Sequence, residues 1–320
     1  MSWRPSLEPV VESYRKDSIA VVIDARKRDI GTMAVRRLLP SSKVRGIGPF
    51  VYFDHAGPAP YDPARGDMPQ HPHLHLATVT YMFEGAFHHR DSTGAEQIIR
   101  PGEINWMTAG RGVVHSERVE DLVRPGSPIH AIQVWLGLPT DTEDQMPSFQ
   151  HYGAGSFQSV RGAGMETRVL VGRFGKITSP VRTHSSTVYC DITLAPGACI
   201  DIPNDYSERA LYVAEGEVDI DGQTIAAGRM VVFRTDKCPR IQAQKATRAV
   251  LIGGEPLDGI RHIWWNFVSS RPARIEQAAR DWADGTTKRV ANDVQDSLRM
   301  PPMAFPWNRA ANATPGDLRE

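Results

Sequence analysis

Histidines and a carboxylate at alternating positions set the chemistry open to this 320-residue chain. Seven of its eleven histidines fall between positions 55 and 115. Three belong to the run Gln70-His71-Pro72-His73-Leu74-His75-Leu76, and a later segment, Val113-Val114-His115-Ser116-Glu117, adds an imidazole and a carboxylate at i and i+2. On a strand, residues i, i+2 and i+4 face one side. His71, His73 and His75 are therefore expected on one face, with Leu74 and Leu76 on the other. Two such strands side by side aim His71, His73, His115 and Glu117 at one point. Three nitrogens and one oxygen suit a divalent first-row metal. They leave two octahedral positions open, as non-haem Fe(II) uses, with Mn, Ni and Co as competitors. Zinc more often takes four tetrahedral ligands. Of the other histidines, the adjacent His88 and His89 face opposite ways and read as a solvated strand edge. His55 reads as a residue near the mouth of the site. His130, His151, His184 and His262 stand alone and read as structural.

Such a site needs strands to hold it, and the sequence supplies them. Thr78–Phe83, Ile129–Leu136, Thr187–Leu194, Val231–Phe233 and Ala249–Ile252 are apolar, β-branched or aromatic runs. Glu217–Asp221 alternates with period two, and Asp221-Gly222 predicts a hairpin turn. The 27 Gly and 24 Pro punctuate these runs. Short strands at this spacing predict a sandwich or barrel rather than a parallel α/β sheet. One helix is expected late in the chain. Ser269-Ser270 offers a cap, Pro272 sits in the first turn, Ile275, Ala278, Ala279 and Trp282 repeat at helical spacing, and Gly285 ends it. The tail beyond 291 is expected over the surface or partly disordered. Tyr81-Met82-Phe83-Glu84-Gly85 matches Tyr212-Val213-Ala214-Glu215-Gly216 at an offset of 131, and the same offset sets His71-Pro72-His73 against Ile202-Pro203-Asn204. Two copies of one β-fold are expected, with the histidines in the first only.

Lys+Arg and Asp+Glu both number 37, so the formal net charge is zero. That balance argues against a surface built for nucleic acid or anionic lipid. No apolar run is long enough to span a membrane, and the first residues lack the order of a secretory signal. Cys190, Cys199 and Cys238 form no C-x-x-C pair. They read as buried thiols, and a cytoplasmic location is expected.

Several stretches together resemble the pirin family of the cupin superfamily. They are Ile47–His55, His71-Pro72-His73, Thr78–Tyr81 with Phe83-Glu84-Gly85, His89-Arg90-Asp91-Ser92 and, most specific, Pro101–Glu117. The resemblance runs from about Val22 to Ala283. It implies an all-β protein of two tandem cupin (double-stranded β-helix, jelly-roll) barrels with a C-terminal helix. A metal-binding domain over 1–145, a metal-free domain with the helix over 146–290 and a tail over 291–320 are then expected. By match to the family motif, the metal, commonly iron, falls to His71, His73, His115 and Glu117. The chain departs from the family at His75, where Gly is usual. A histidine there is expected to enter the same interior, narrowing it, either as a hydrogen-bonded lining residue or as a further ligand or general base.

Two functions follow from the resemblance. One is a quercetin 2,3-dioxygenase-type enzyme cleaving a flavonol with O₂, the two reactants taking the open metal positions and Glu117 serving as proton acceptor or plain ligand. Phe53, Trp106 and Met107 are candidates for an apolar wall, with ordinary core as the alternative. The other is an iron-binding regulatory protein acting through protein partners. H-x-H also opens sites in α/β-barrel hydrolases, but positions 70–135 lack the strand–helix alternation these require.

Overall fold

Each of the apolar runs becomes a strand in the computed structural model, which describes residues 11–12, 17–31, 33–41, 44–65, 67–293 and 295–307. The strands form two large antiparallel sheets, two four-stranded ones and two two-stranded hairpins. The first large sheet runs, edge to edge, Ser148–Tyr152, Ile104–Thr108, Leu76–Glu84, Pro128–Gly137, Phe50–Pro60, Ala34–Leu39 and Arg26–Asp29. The second repeats that order with Ile19–Asp24, Arg229–Phe233, Glu208–Glu215, Thr247–Gly254, Thr187–Leu194, Met165–Val171 and Ser159–Gly162, and Val11–Glu12 is added outside Ile19–Asp24. The small sheets correspond in the same way. Met68–His73, Val113–Arg118, Phe87–Asp91 and Glu96–Ile99 make one; Cys199–Asp201, Arg240–Ala243, Glu217–Ile220 and Gln223–Ala226 make the other. The faint repeat in sequence is thus a full structural repeat. The halves also trade edge strands: Ile19–Asp24 pairs with Arg229–Phe233, and Ser148–Tyr152 pairs with Ile104–Thr108.

The expected closed barrels do not form. Each half is a cupin-like pair of open sheets, and among the described residues no ladder joins a large sheet to its small partner. The reason lies at the corners where the chain changes sheet. His75 (φ 56) separates Met68–His73 from Leu76–Glu84, and Gly85 (φ 85) separates Leu76–Glu84 from Phe87–Asp91. A left-handed residue rotates its N–H and C=O out of the ladder. The His75 N–H accordingly donates to the Gly110 carbonyl at 2.8 Å. The Glu-Gly pair shared by the two halves marks this corner. A Cβ on Gly85 would lie 2.9 Å from the Pro128 carbonyl oxygen, and one on Gly216 would lie 2.3 Å from that of Ala246.

Side-chain alternation then decides what fills each half. The outer faces of the large sheets meet in a shared apolar core that includes Phe53, Tyr81, Trp106, Leu170, Tyr189, Tyr212 and Ile252. The interior of the second half holds a large apolar cluster, with Ile200, Ile202, Val218, Ile220 and Ile241 fully or nearly fully buried. Ile202 stands where the offset places His71. The interior of the first half is apolar at one end only and holds imidazoles at the other.

His55 lies in the interface between the halves rather than at the mouth of the site. Its Nδ1 meets the Tyr212 hydroxyl at 2.7 Å and its Nε2 meets His130 Nε2 at 2.6 Å. Burial, with Arg36 and His130 nearby, pushes His55 down to about 2; burial, with Arg248 and Arg36, pushes His130 down to about 4. A histidine with a lowered pKa stays neutral in the fold while the unfolded chain takes up protons. Its stabilisation is present above the ordinary 6.5 and is lost as pH falls from there to about 4. His130 alone is expected to account for a loss on the order of 3 kcal/mol over that window. Urea unfolding at pH 7 and pH 4.5 should show a smaller acid loss in His130→Gln than in the wild type.

The helix spans Pro272–Ala283 and buries Ile275, Ala279 and Trp282. Its first residue is preceded by Arg271 with no side-chain cap; Ser269 Oγ accepts from the Arg271 N–H at 2.9 Å, one step before the helix, and Ser270 is used elsewhere. The Ser270 N–H and hydroxyl donate to Glu143 at 2.6 and 2.7 Å. Part of the expected surface tail is packed down: Asp293 is 3% exposed, and the Leu298 N–H donates to the Gln70 carbonyl at 2.7 Å. Residues 308–320 lie outside the described residues. Only Cys190 is buried; Cys199 is half-buried and Cys238 exposed, because those two sit near turns. Among the described residues no helix is long and apolar enough to cross a membrane.

Candidate metal centre

Antiparallel pairing of Met68–His73 with Val113–Arg118 sets His71 directly opposite His115. His73 follows at i+2 on the same face. The ring centroids of His71 and His115 are 4.3 Å apart, and His73 is 5.0 Å from each. One ring nitrogen of each of these three buried residues lies within 4.8 Å of the others. The register slips beyond His71, so that Glu117 faces Met68 while its own strand stays regular against Phe87–Asp91. Glu117 does not join that group of three; it groups within the same reach of His115 and His89, and it lines the cavity that His71 and His73 also line.

The hydrogen bonds behind the rings fix their tautomers. His71 Nδ1 is 2.8 Å from the Pro69 carbonyl and His73 Nδ1 is 3.0 Å from that of Asn266. A carbonyl only accepts, so both Nδ1 atoms carry the proton and both Nε2 atoms keep a lone pair. His89 Nε2 lies 3.2 Å from an Asp91 carboxylate oxygen, and His89 Nδ1 lies 3.4 Å from His115 Nδ1. With the His89 Nε2–H donated to Asp91, its Nδ1 accepts from His115. The His115 Nε2 then holds a lone pair, and it is buried without any partner. Burial lowers His71 to about 4 and holds His73 and His115 well below the ordinary range. All three imidazoles are neutral at pH 7, as metal ligands must be. Burial raises the Glu117 carboxyl, and Thr80 Oγ1, 2.8 Å away, offers it a hydrogen bond across the sheets. The donor set and the orphaned Nε2 fit a divalent transition metal.

The structure sorts the remaining expectations. The alternation of His71, His73 and His75 stops at His73, because His75 takes a left-handed conformation. That geometry is the physical reason a glycine suits this position. The His75 ring turns to Ser269 Oγ at 2.9 Å, Glu143 at 3.3 Å and Asp144 at 3.2 Å, and it joins neither ligand group. His89 is 2% exposed and stacks on Phe149, not on solvent. The i, i+2 spacing of His89 and Asp91 was the available signal for it. Phe53 and Trp106 belong to the core between the halves, and Met107 packs on Ala109 and Val113. The cavity wall is instead Phe87, Trp135, Val35 and Ala131, with Tyr52, Asp54, Gln133 and Asn266 supplying polar atoms.

His89 holds His115 as an outer partner of a kind whose loss typically costs 10–100-fold in metal affinity. Chelator competition on His89→Phe is expected to show about that drop. His88→Phe, whose parent ring pairs with Glu96 and Glu120 at the edge, should not change.

Two cupin-like halves, with the histidine cluster, among the described residues, in the first, define a bicupin. Family models agree: that of Pirin matches residues 32–136 and that of the Pirin C-terminal cupin domain matches residues 189–288. A pirin-like protein of Caulobacter vibrioides is 40% identical over 287 residues, covering 88% of this chain and 99% of that one. The crystal structure of a quercetin 2,3-dioxygenase from Acinetobacter baumannii superposes with a TM-score of 0.81 at 33% identity, covering 88% of this chain and 95% of that one. The bacterial pirin YhhW of Escherichia coli, solved in complex with nickel(II), shares the fold at a TM-score of 0.56 and 17% identity, covering 73% and 96%. The chain belongs to the pirin family of the cupin superfamily.

Proposed function

We propose that this protein is an iron-dependent dioxygenase that opens the ring of flavonols such as quercetin with O₂. The observation that carries the reading is the cluster of three neutral, buried imidazoles, one with an unpartnered Nε2, beside a carboxylate on an aromatic-walled cavity. Similarity to the Acinetobacter baumannii quercetin 2,3-dioxygenase supports it. His71, His73, His115 and Glu117 would hold the metal, and Fe(II) there supplies Lewis-acid polarisation and reactivity toward O₂.

The chain's own groups orient the substrate and handle its proton. Trp135 stacks on Tyr52 at 3.9 Å, which stiffens an aromatic wall, and Asp54 anchors that pair by accepting from the Tyr52 hydroxyl at 2.6 Å. Glu117, raised by burial, is suited to take a proton from a substrate hydroxyl. Thr80 Oγ1 has one hydrogen and lies between Glu117 and Gln133, at 2.8 and 2.7 Å. It donates to Glu117 when the Gln133 amide is turned to donate to it. His75, bonded to Ser269 and Glu143, positions the segment from the second half that closes the site. Iron-loaded protein mixed with quercetin in air should deplete the flavonol absorbance. Depletion no faster than in a His71→Ala control would reject the reading.

A further inference from the structure

One wall of the first half's cavity comes from the second half. The hairpin of His262–Trp264 and Phe267–Ser269 reaches across, and its turn carries Trp265 (φ 53) and Asn266. The Asn266 carbonyl holds His73, as described above. Its side chain is a separate matter. Asn266 is fully buried and lines the cavity with His71, His73 and Glu117, yet neither its amide nitrogen nor its amide oxygen has a hydrogen-bond partner. Nearly all buried polar atoms are paired, and one residue with both a donor and an acceptor unmet demands an explanation. The other polar side chains on this cavity differ in this respect. Tyr52 and Asp54 are paired with each other and with Arg37, and Gln133 and Glu117 both meet Thr80.

We propose that Asn266 is a specificity-determining residue for the ligand of this cavity, its amide reading an adjacent hydroxyl and carbonyl on a flat, largely apolar molecule. The inference rests on the reading of the cavity as a substrate site. The amide N–H requires an acceptor and the amide oxygen requires a donor. A carboxylate or phosphate offers acceptors only and would leave the oxygen unmet. A hydrocarbon would leave both unmet. A hydroxy-ketone edge completes both at once, and Phe87, Trp135 and Val35 suit the ring that bears it. Selection against analogues lacking one group follows, because they strand a buried polar atom.

The test uses the full chain before iron loading, so that the probe keeps its hydroxyl proton. It is titrated with 3-hydroxy-2-methyl-4-pyranone and with the 3-methoxy ether of the same ring, which lacks the donor. The wild type is expected to prefer the hydroxy-ketone. In Asn266→Leu that preference should shrink by about tenfold or more, since no amide oxygen is left to accept from the hydroxyl. Asn266→Ser, too short to reach, should behave likewise and guards against a folding defect in the first variant. After iron loading, metal content by elemental analysis should match the wild type in both. A preference unchanged in the variants means that water satisfies the amide, and it overturns the proposal; so does a wild type that binds neither probe. An Asn266-dependent preference in a protein that leaves quercetin intact would sink the dioxygenase reading and keep this one.

Discussion

His115→Ala is expected to weaken metal binding by at least about 100-fold and to abolish metal-dependent turnover. Loss of an outer partner alone costs up to about 100-fold, and this change removes a ligand with its lone pair. His115 is fully buried, faces His71 across the strand pair and has an unpartnered Nε2. Its removal leaves two imidazoles and one carboxylate around a void. The fold should survive, because the ring's hydrogen bonding is confined to His89 at 3.4 Å. Chelator competition and elemental analysis would measure the loss, and thermal unfolding of metal-free protein would confirm the fold. Metal binding undiminished in this variant would place the centre elsewhere.

Arg118→Ala is expected to destabilise the protein by about 3–5 kcal/mol, the usual effect of stranding one member of a buried ion pair. Arg118 follows Glu117 on the same strand and is 3% exposed. Its guanidinium holds Asp293 through two hydrogen bonds, at 2.6 and 2.8 Å. The contact to Asp296 at 2.8 Å adds little, since that side chain is 60% exposed. Gln70 grips the same segment: its side-chain oxygen accepts from the Val290 N–H at 2.9 Å, and its amide donates to the Asp293 carbonyl. Together these bonds fasten the chain end over the strand that carries His71 and His73. The double variant Arg118→Met with Asp293→Leu should recover much of the loss, because the cost lies in the uncompensated charge. Urea unfolding of the two variants measures both statements. A loss under about 1 kcal/mol in Arg118→Ala would show that the pair is solvated.

Much of the site was legible because strand alternation is a local rule. His71, His73 and His115 needed only two H-x-H-like strands paired in register, and the repeat at an offset of 131 set Ile202 and Asn204 where the first half has His71 and His73. The rule failed where the backbone left the β region. His75 departs because of a single positive φ, which the sequence signals only through the glycine usual in the family. Sheet closure was misjudged for the same reason, since the corners that separate the sheets are single left-handed residues. Adjacent histidines predict a solvated strand edge, whereas Phe87–Asp91 lies between Val113–Arg118 and Glu96–Ile99 and His89 faces inward onto Phe149. Asn266 and Asp293 were invisible from the sequence. They lie 193 and 175 residues from their partners His73 and Arg118, and no periodicity encodes a contact made by the returning end of the chain.

The central claim is that one divalent metal sits at the meeting point of His71, His73, His115 and Glu117. Crystals of the purified protein, with data collected on both sides of the absorption edge of the metal found by elemental analysis, test it directly. The account predicts one anomalous peak per chain, bonded to the Nε2 atoms of the three histidines and to a Glu117 oxygen, with none in the second half. A protein that purifies and reconstitutes without metal, or a peak held by any other residues, would contradict it.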